Sequence, residues 1–221
     1  MTDAPTARTR VRRLPELGAY DRETIDPILD EAVYCHLAWV GGDGDPRVIP
    51  TIHVRIGDTL YVHGSAASST LRAIKTGLPV AIAVTIVDGI QFARSMFEHS
   101  MSYRTVIVYG KAEEVTDAAE LERLFDAITD HVAPGRAADA RRPNADELRQ
   151  TTFVKVPLTE ASAKISAGFP DDAEADLDLD VWAGVMPLTL TPGEPLSDPD
   201  LKPGIATPDY VTNWRRPADP S

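Results

Sequence analysis

The stretch CHLAWVGGDGDPRVIPTIHVRIGDTLYVHG, residues 35–64, decides the fold. It holds three β-prone runs, 35–40, 47–56 and 59–64. A turn cluster of glycine and aspartate separates the first two, and Gly57-Asp58 separates the second from the third. This is the turn chemistry of hairpin connections. Strands joined this closely run antiparallel, because a parallel return needs a crossover of about a dozen residues or more. Pro50 lies inside the second run. It lacks the N–H that a central ladder uses, so it belongs at an edge, at a bulge or beside a ligand.

Upstream, Ile25, Ile28, Leu29, Ala32 and Val33 repeat at helical spacing, with Asp21 or Thr24 as N-cap and Pro27 early enough to be tolerated. Downstream, SAASSTLRAIKTG (65–77) is a small-residue loop opening a short helix that stops at Gly77. Residues 78–89 are apolar on both faces, as in a central strand. Residues 101–115 alternate as a long strand that Gly110 breaks. An amphipathic helix spans 116–132, capped by Thr116 or Asp117, with Leu121, Leu124, Phe125 and Ile128 as its stripe. A short helix at 145–150 precedes a last strand over 151–168. The pattern is mainly β (α+β): six antiparallel strands closing into a barrel, with flanking helices. Alternating βαβ units, a G-x-G-x-x-G fingerprint and a P-loop are all lacking from the sequence.

With 221 residues the chain fits one large domain with extensions. Residues 1–20 form a flexible, solvated arm carrying Arg8, Arg10, Arg12 and Arg13; residues 21–168 form the barrel domain; residues 169–221 form an acidic, proline-rich extension. Trp182, Val185, Met186 and Leu188 give that extension an anchor for docking on the barrel. The 34 acidic residues outnumber the 22 basic ones, for a net charge of −12, which argues against nucleic acid as a partner. One cysteine, Cys35, excludes an internal disulfide and a cysteine-based zinc site. No histidine pair has metal-ligand spacing, so no metal site is expected. The arginines near the N-terminus have no apolar run behind them, and no apolar run nears the ~20 residues that cross a bilayer. The expected location is the cytoplasm, away from membranes.

Two segments carry chemistry. In YVHGSAASSTLRAI (61–74) a strand ends in His63-Gly64, followed by Ser65, Ser68, Ser69 and Thr70 and then a helix start. Hydroxyls and free N–H groups there suit a phosphate, with Arg72 or Lys75 supplying charge. An ordinary Ser-rich helix cap would look the same. In RSMFEHSMSYRTVIVYG (94–110), Arg94, His99, Tyr103 and Arg104 gather at the mouth of a long strand. Alone, this segment is an ordinary polar loop.

Together they read differently. The order P-x-x-x-P-T (46–51), L-Y-V-H-G-S (60–65), S-S-T-L-R (68–72) and H-S-M-S-Y-R-T-V-I-V-Y-G (99–110) resembles the FMN-binding split barrels of the pyridoxamine 5′-phosphate oxidase-like superfamily. Within it the chain is most similar to the branch that includes nitroimidazole-resistance-type proteins. The resemblance covers residues 20–168, and WAGVMPL (182–188) resembles that branch's C-terminal feature. It implies a six-stranded split barrel, a homodimer and FMN in two clefts at the dimer interface. Members usually carry a basic residue in the loop after H-G-S; here the loop reads Ala67-Ser68-Ser69-Thr70, with Arg72 one turn on. By the same resemblance, Pro50, Thr51 and Ile52 present backbone to the flavin ring, and Thr85, Tyr103 and Arg104 close its other sides.

His63 sits where it would be protonated beside a phosphate, given an ordinary pKa of about 6.5. His63 and His99 are the candidate catalytic histidines, and Arg94, His99 and Trp182 the candidate walls of a pocket for a small organic substrate. His36 reads as a packed or edge residue, His53 as a cleft or surface residue, and His131 as a cation at a helix C-terminus. The expected activity is that of a flavin-dependent oxidoreductase. The alternative is a non-catalytic binder of flavin, deazaflavin or haem, with His63 or His99 as axial ligand. Purified protein is expected to be yellow or to take up FMN; saturating FMN without a spectral change or thermal shift would refute this.

Overall fold

Residues 3–215 are described in the computed structural model. In chain order the elements are β1 (Gly18–Ala19), α1 (Arg22–Glu31), β2 (Cys35–Val40), β3 (Pro46–Thr51), β4 (His53–Ile56), β5 (Thr59–Ser65), α2 (Ser69–Ile74), β6 (Thr76–Phe92) and β7 (Ser100–Glu114). Then follow α3 (Ala118–Val132), α4 (Arg136–Asp139), α5 (Ala145–Gln150), β8 (Thr151–Pro157), β9 (Ala161–Ser166), β10 (Gly184–Pro187) and α6 (Asp209–Thr212). Among the described residues no helix is long and apolar enough to cross a membrane.

All the strand pairs are antiparallel, in the order β3-β2-β6-β7-β8-β5-β4, with β9 beside β7 and β1, and β10 beside β6. The run 47–56 does not stay on one partner. Its first part, β3, pairs with β2, and its second part, β4, pairs with β5. The two ends of the strand order are therefore adjacent in the chain, separated by Ile52 alone. Pro50 lies on β3, an edge in the single chain, where a missing donor costs little.

Among the described residues the six expected strands become ten. The run 47–56 divides at Ile52, and the run 151–168 is interrupted by a 3-10 turn at Leu158–Glu160; β1 and β10 are added by the arm and the extension. β8 and β9 still follow β7 as one antiparallel line, β8 near Glu113 and β9 from Tyr103 to Val108. Between them sits Gly110. A Cβ there would stand 2.5 Å from Val156, so glycine is required by close approach.

Alternation fills the interior. Val80, Ile82, Val84 and Ile86 of β6 and Val106 and Val108 of β7 are buried with Leu60, Val62 and Val156. Helix α1 adds Ile25, Ile28 and Leu29 to the same cluster. A second cluster forms where Leu124 and Ile128 of α3 meet Val54, Tyr61 and Phe153. Caps fall where the composition allows: Asp21 accepts from the Thr24 N–H at 2.8 Å, and Asp117 from the Glu120 N–H at 2.8 Å.

Two histidines finish α1. The His53 Nε2–H donates to the Leu29 carbonyl at 2.8 Å, and the His131 Nε2–H to the Ala32 carbonyl at 2.9 Å. These satisfy acceptors that the last helical turn leaves open. Their rings are 5.1 Å apart. His53 is a core residue, not a cleft or surface one. Burial lowers its pKa to about 4 and lowers that of His131 as well, so neither is the cation expected at a helix end.

A native pKa below the unfolded value means that the unfolded chain binds the extra proton. Stability is complete above about pH 6.5 and is lost as the pH falls toward 4, by about 3 kcal/mol for His53 fully protonated only on unfolding. His53→Gln keeps a donor for Leu29 but cannot titrate. Denaturant midpoints measured from pH 7 to 4 should fall less steeply in the variant; identical pH profiles would refute the assignment.

Candidate flavin site

Over residues 80–86 of β6 and 102–112 of β7 the even-numbered residues point into the barrel and the odd-numbered ones cover its outer face; beyond the irregularity between Val87 and Gly89 the β6 alternation reverses. The register aligns Pro50 with His36, His36 with Ala83, and Thr85 with Thr105. One outer face therefore carries Pro50, Thr85 and Tyr103 among small side chains. The Thr105 hydroxyl donates to the Val84 carbonyl at 2.6 Å and lies 3.0 Å from the Thr85 hydroxyl. Thr85 is exposed.

The H-G-S end of β5 is close by. The Thr51 hydroxyl donates to the His63 carbonyl at 3.4 Å, which brings the 46–51 strand against this end. Gly64 allows Leu71 of α2 to approach; a Cβ would meet it at 3.1 Å. The Ser65 hydroxyl accepts from the Ala67 N–H at 3.2 Å, and the Ser65 carbonyl from the Ser68 N–H at 2.9 Å. Ser68 is the N-cap of α2, but its side chain makes no capping bond. Thr70 is buried, while Ser69 and Arg72 are exposed. Among the described residues no ion pair engages Arg72. Ile52, at the corner between β3 and β4, is partly buried against the α3 cluster.

His63 stacks on Phe153 at 5.5 Å, and its Nδ1 is buried without a partner. Burial lowers its pKa, so in the protein alone it is neutral rather than the expected cation.

Arg104 points elsewhere. It lies on the inward-facing series of β7, and its fork is held by two carboxylates. Nε and Nη2 donate to Asp88 at 2.8 and 2.7 Å; Nη2 also donates to Glu31 at 2.9 Å, and Nη1 donates to the same carboxylate. Asp88 and Glu31 raise its pKa, so it is permanently charged. It ties the end of α1 to the β6–β7 hairpin. Among the described residues no hydrogen bond or ion pair joins residues 65–72 to 94–104 within one chain.

Of the three expected pocket residues, His99 and Trp182 share one neighbour, and Arg94 lines a separate cavity. Phe92 touches both His99 (6.1 Å, edge-on) and Trp182 (5.7 Å). β10 pairs Gly184 with Phe92, and this seats the extension on β6. Arg94 lines a cavity of about 310 Å³ with Phe169, Asp172 and Gly184. Its backbone N–H and Nη1 donate to Asp172 at 2.8 and 2.9 Å, and its Nε is buried without a partner. Asp172 belongs to an acidic run that reads as solvated surface, yet its side chain is only 2% exposed. The partner is 78 residues away, so no local signal could reveal it.

The model of the family described as pyridoxamine 5′-phosphate oxidase matches residues 21–165. The chain belongs to the pyridoxamine 5′-phosphate oxidase family. Its members share a flavin-binding fold, and this chain has that fold. The structure of the flavocytochrome Anf3 from Azotobacter vinelandii is 32% identical, covers 97% of this chain and 99% of its own, and superposes with a TM-score of 0.91. A FAD- and haem-binding protein from Mycobacterium smegmatis is 38% identical over 91% of this chain and 98% of its own, with a TM-score of 0.86. A protein from Bacteroides thetaiotaomicron described as a putative 5-nitroimidazole antibiotic resistance protein is 22% identical over 67% of this chain and 86% of its own, with a TM-score of 0.56, and shares the fold. No match was found among curated proteins.

Arg104→Ala leaves Glu31 and Asp88 without their shared cation. All three side chains are partly solvated, so the expected loss is about 1–2 kcal/mol, seen as a Tm several degrees lower. Flavin affinity should change little. An unchanged Tm with flavin affinity reduced about tenfold would return Arg104 to the cofactor.

Proposed function

We propose that the chain is a flavin-dependent redox protein that also carries a haem. The observation behind this reading is the reach of the likeness. The family model spans residues 21–165, whereas the flavocytochrome matches 97% of the chain, so it includes much of the arm and extension. The flavin, FMN or its dinucleotide FAD, lies on the outer face between the β3 edge, Thr85 and Tyr103, with the Ser65–Thr70 loop and Arg72 at its phosphate end. Two copies pair across this face, where Val40 and Val48 stand 58% and 61% exposed.

His99 fits the haem best. Its Nδ1 lies 2.8 Å from the Ser95 carbonyl. A carbonyl only accepts, so the proton is on Nδ1 and the Nε2 lone pair is free to bind a metal. Met96, Phe97 and Trp182, exposed by 96%, 88% and 69%, supply the apolar cover that a porphyrin needs. His63 offers less, since its ring is held flat against Phe153. Haem and flavin together supply one- and two-electron transfer; the protein positions them and excludes water.

A second reading keeps the flavin and omits the haem. In it the cavity beside Arg94 takes a small organic anion, drawn by the unpartnered Nε. The visible spectrum of purified protein, before and after adding haem, separates the two. Flavin bands with a Soret band are expected, and His99→Ala should shift or abolish the Soret band while leaving the flavin bands. Flavin bands alone after haem addition favour the second reading. Neither chromophore bound would refute both.

A further inference from the structure

The arm is fastened to the barrel. β1 pairs with β9, the Val11 N–H donates to the Tyr20 hydroxyl at 2.9 Å, and Arg8 is paired with Glu160 through both Nε and Nη2. Yet Arg10, Arg12 and Arg13 are exposed, and among the described residues none has a hydrogen-bond or ion-pair partner for its guanidinium. That is unexpected in a protein of net charge −12, where carboxylates are abundant. Arg10, Val11 and Arg12 line two hollows, of about 790 and 250 Å³. Ala4, Pro5 and Pro15 add apolar surface to the first, and Ile107 and Ala163 to the second. The arm is thus a trough with an apolar floor and a free cationic rim.

A second segment has the opposite character. Residues 189–207 run between two anchors. At one end β10 pairs with β6, and the Leu188 N–H donates to the Asp88 carbonyl at 3.0 Å. Beyond the other end, the Tyr210 hydroxyl donates to Asp139 at 2.8 Å and the Trp214 Nε1–H to the Val132 carbonyl at 2.7 Å. Every residue between is exposed, and among the described residues the segment makes hydrogen bonds only within itself. Connections longer than about 12–15 residues without regular structure are uncommon in a compact domain unless they have a role. Pro192, Pro195, Pro199 and Pro203 limit the backbone freedom this one would lose on docking. Among the described residues Glu194, Asp198 and Asp200 form no ion pair, and Leu196, Leu201 and Ile205 are uncovered, Leu196 by 94%. Trough and segment each hold what the other lacks, and no hydrogen bond or ion pair joins them within one described chain. Two copies related by a two-fold axis satisfy both, since each contact is then made twice.

We propose that residues 189–207 of one copy lie in the arm trough of a second copy, with Glu194, Asp198 and Asp200 against Arg10, Arg12 and Arg13 and the leucines on the apolar floor. This rests on the pairing of two copies proposed above and on neither cofactor. The test is sedimentation of the full chain over a range of concentration and salt. Wild type should dimerise, with a Kd about tenfold or more higher at high salt than at low salt. One variant carries Arg10→Glu, Arg12→Glu and Arg13→Glu; another carries Glu194→Arg, Asp198→Arg and Asp200→Arg. Each alone sets like charges together and should dimerise at least about tenfold more weakly. Mixed one to one, the two should form a heterodimer about as tight as wild type, because each segment then meets an arm of opposite charge. A contact made inside one chain would gain nothing from mixing. A milder variant, with glutamine at positions 10, 12 and 13, should lose most of the salt dependence, and it decides the matter if a charge-reversed chain does not fold. Undiminished dimerisation in both reversed variants, a mixture no tighter than its components, or an unchanged salt dependence in the glutamine variant overturns the inference. A wild type that stays monomeric removes the pairing itself, and this inference with it.

Discussion

Residues 46–56 pass from one end of the sheet to the other with one residue, Ile52, between two ladders. The barrel is therefore closed by a covalent link and not by a loop. Cys35 faces Thr51 on one side of that residue, and Val62 faces His53 on the other. Strand side chains alternate with a period of two, so a slip by one residue in either ladder would turn His53 and Val54 the wrong way. The closure also sets the site, because it brings Thr51 to the backbone of His63.

Helix α1 is held in this frame from two directions. Its apolar face, Ile25, Ile28 and Leu29, belongs to the barrel core. Its C-terminal turn is finished by imidazoles from β4 and α3, while Glu31 shares Arg104 with Asp88. Hydrophobic burial places the helix without much direction, since it depends on area. The directional bonds then choose its rotation and depth. Polar residues that resemble cofactor ligands in sequence thus serve the scaffold, and the outer face of the sheet is left for binding.

That outer face differs from a closed cavity. It is a run of small, half-exposed side chains bounded by the edge strand β3 at one end and the arginine arm at the other. A flat ring system needs such a surface, and a second copy of the chain would complete its cover. Fold alone does not name the reaction. The case for two cofactors comes from the length of the likeness to a flavocytochrome and from one imidazole with its proton held by a backbone carbonyl.

Much of this was legible from residues 35–64 alone: the turns, the antiparallel pairing and the awkward Pro50 are local properties of backbone chemistry. Helix starts near Asp21 or Thr24 and at Thr116 or Asp117, and the alternation of β6 and β7, were readable for the same reason; the structure selects Asp21 and Asp117 as the caps. The resemblance carried by L-Y-V-H-G-S and S-Y-R-T-V reached the family. What the sequence could not settle was long-range pairing. Arg94 and Asp172, Arg104 and Glu31, and His53 and Leu29 meet across 78, 73 and 24 residues. Charge and ring type are written in the chain, but which oxygen each nitrogen meets is decided only when the barrel closes. By itself the sequence determined strands, turns and a family; the tertiary structure decided which polar groups are used up in holding the fold and which remain for a ligand, because hydrogen bonds and ion pairs act over a few ångströms whatever the separation along the chain.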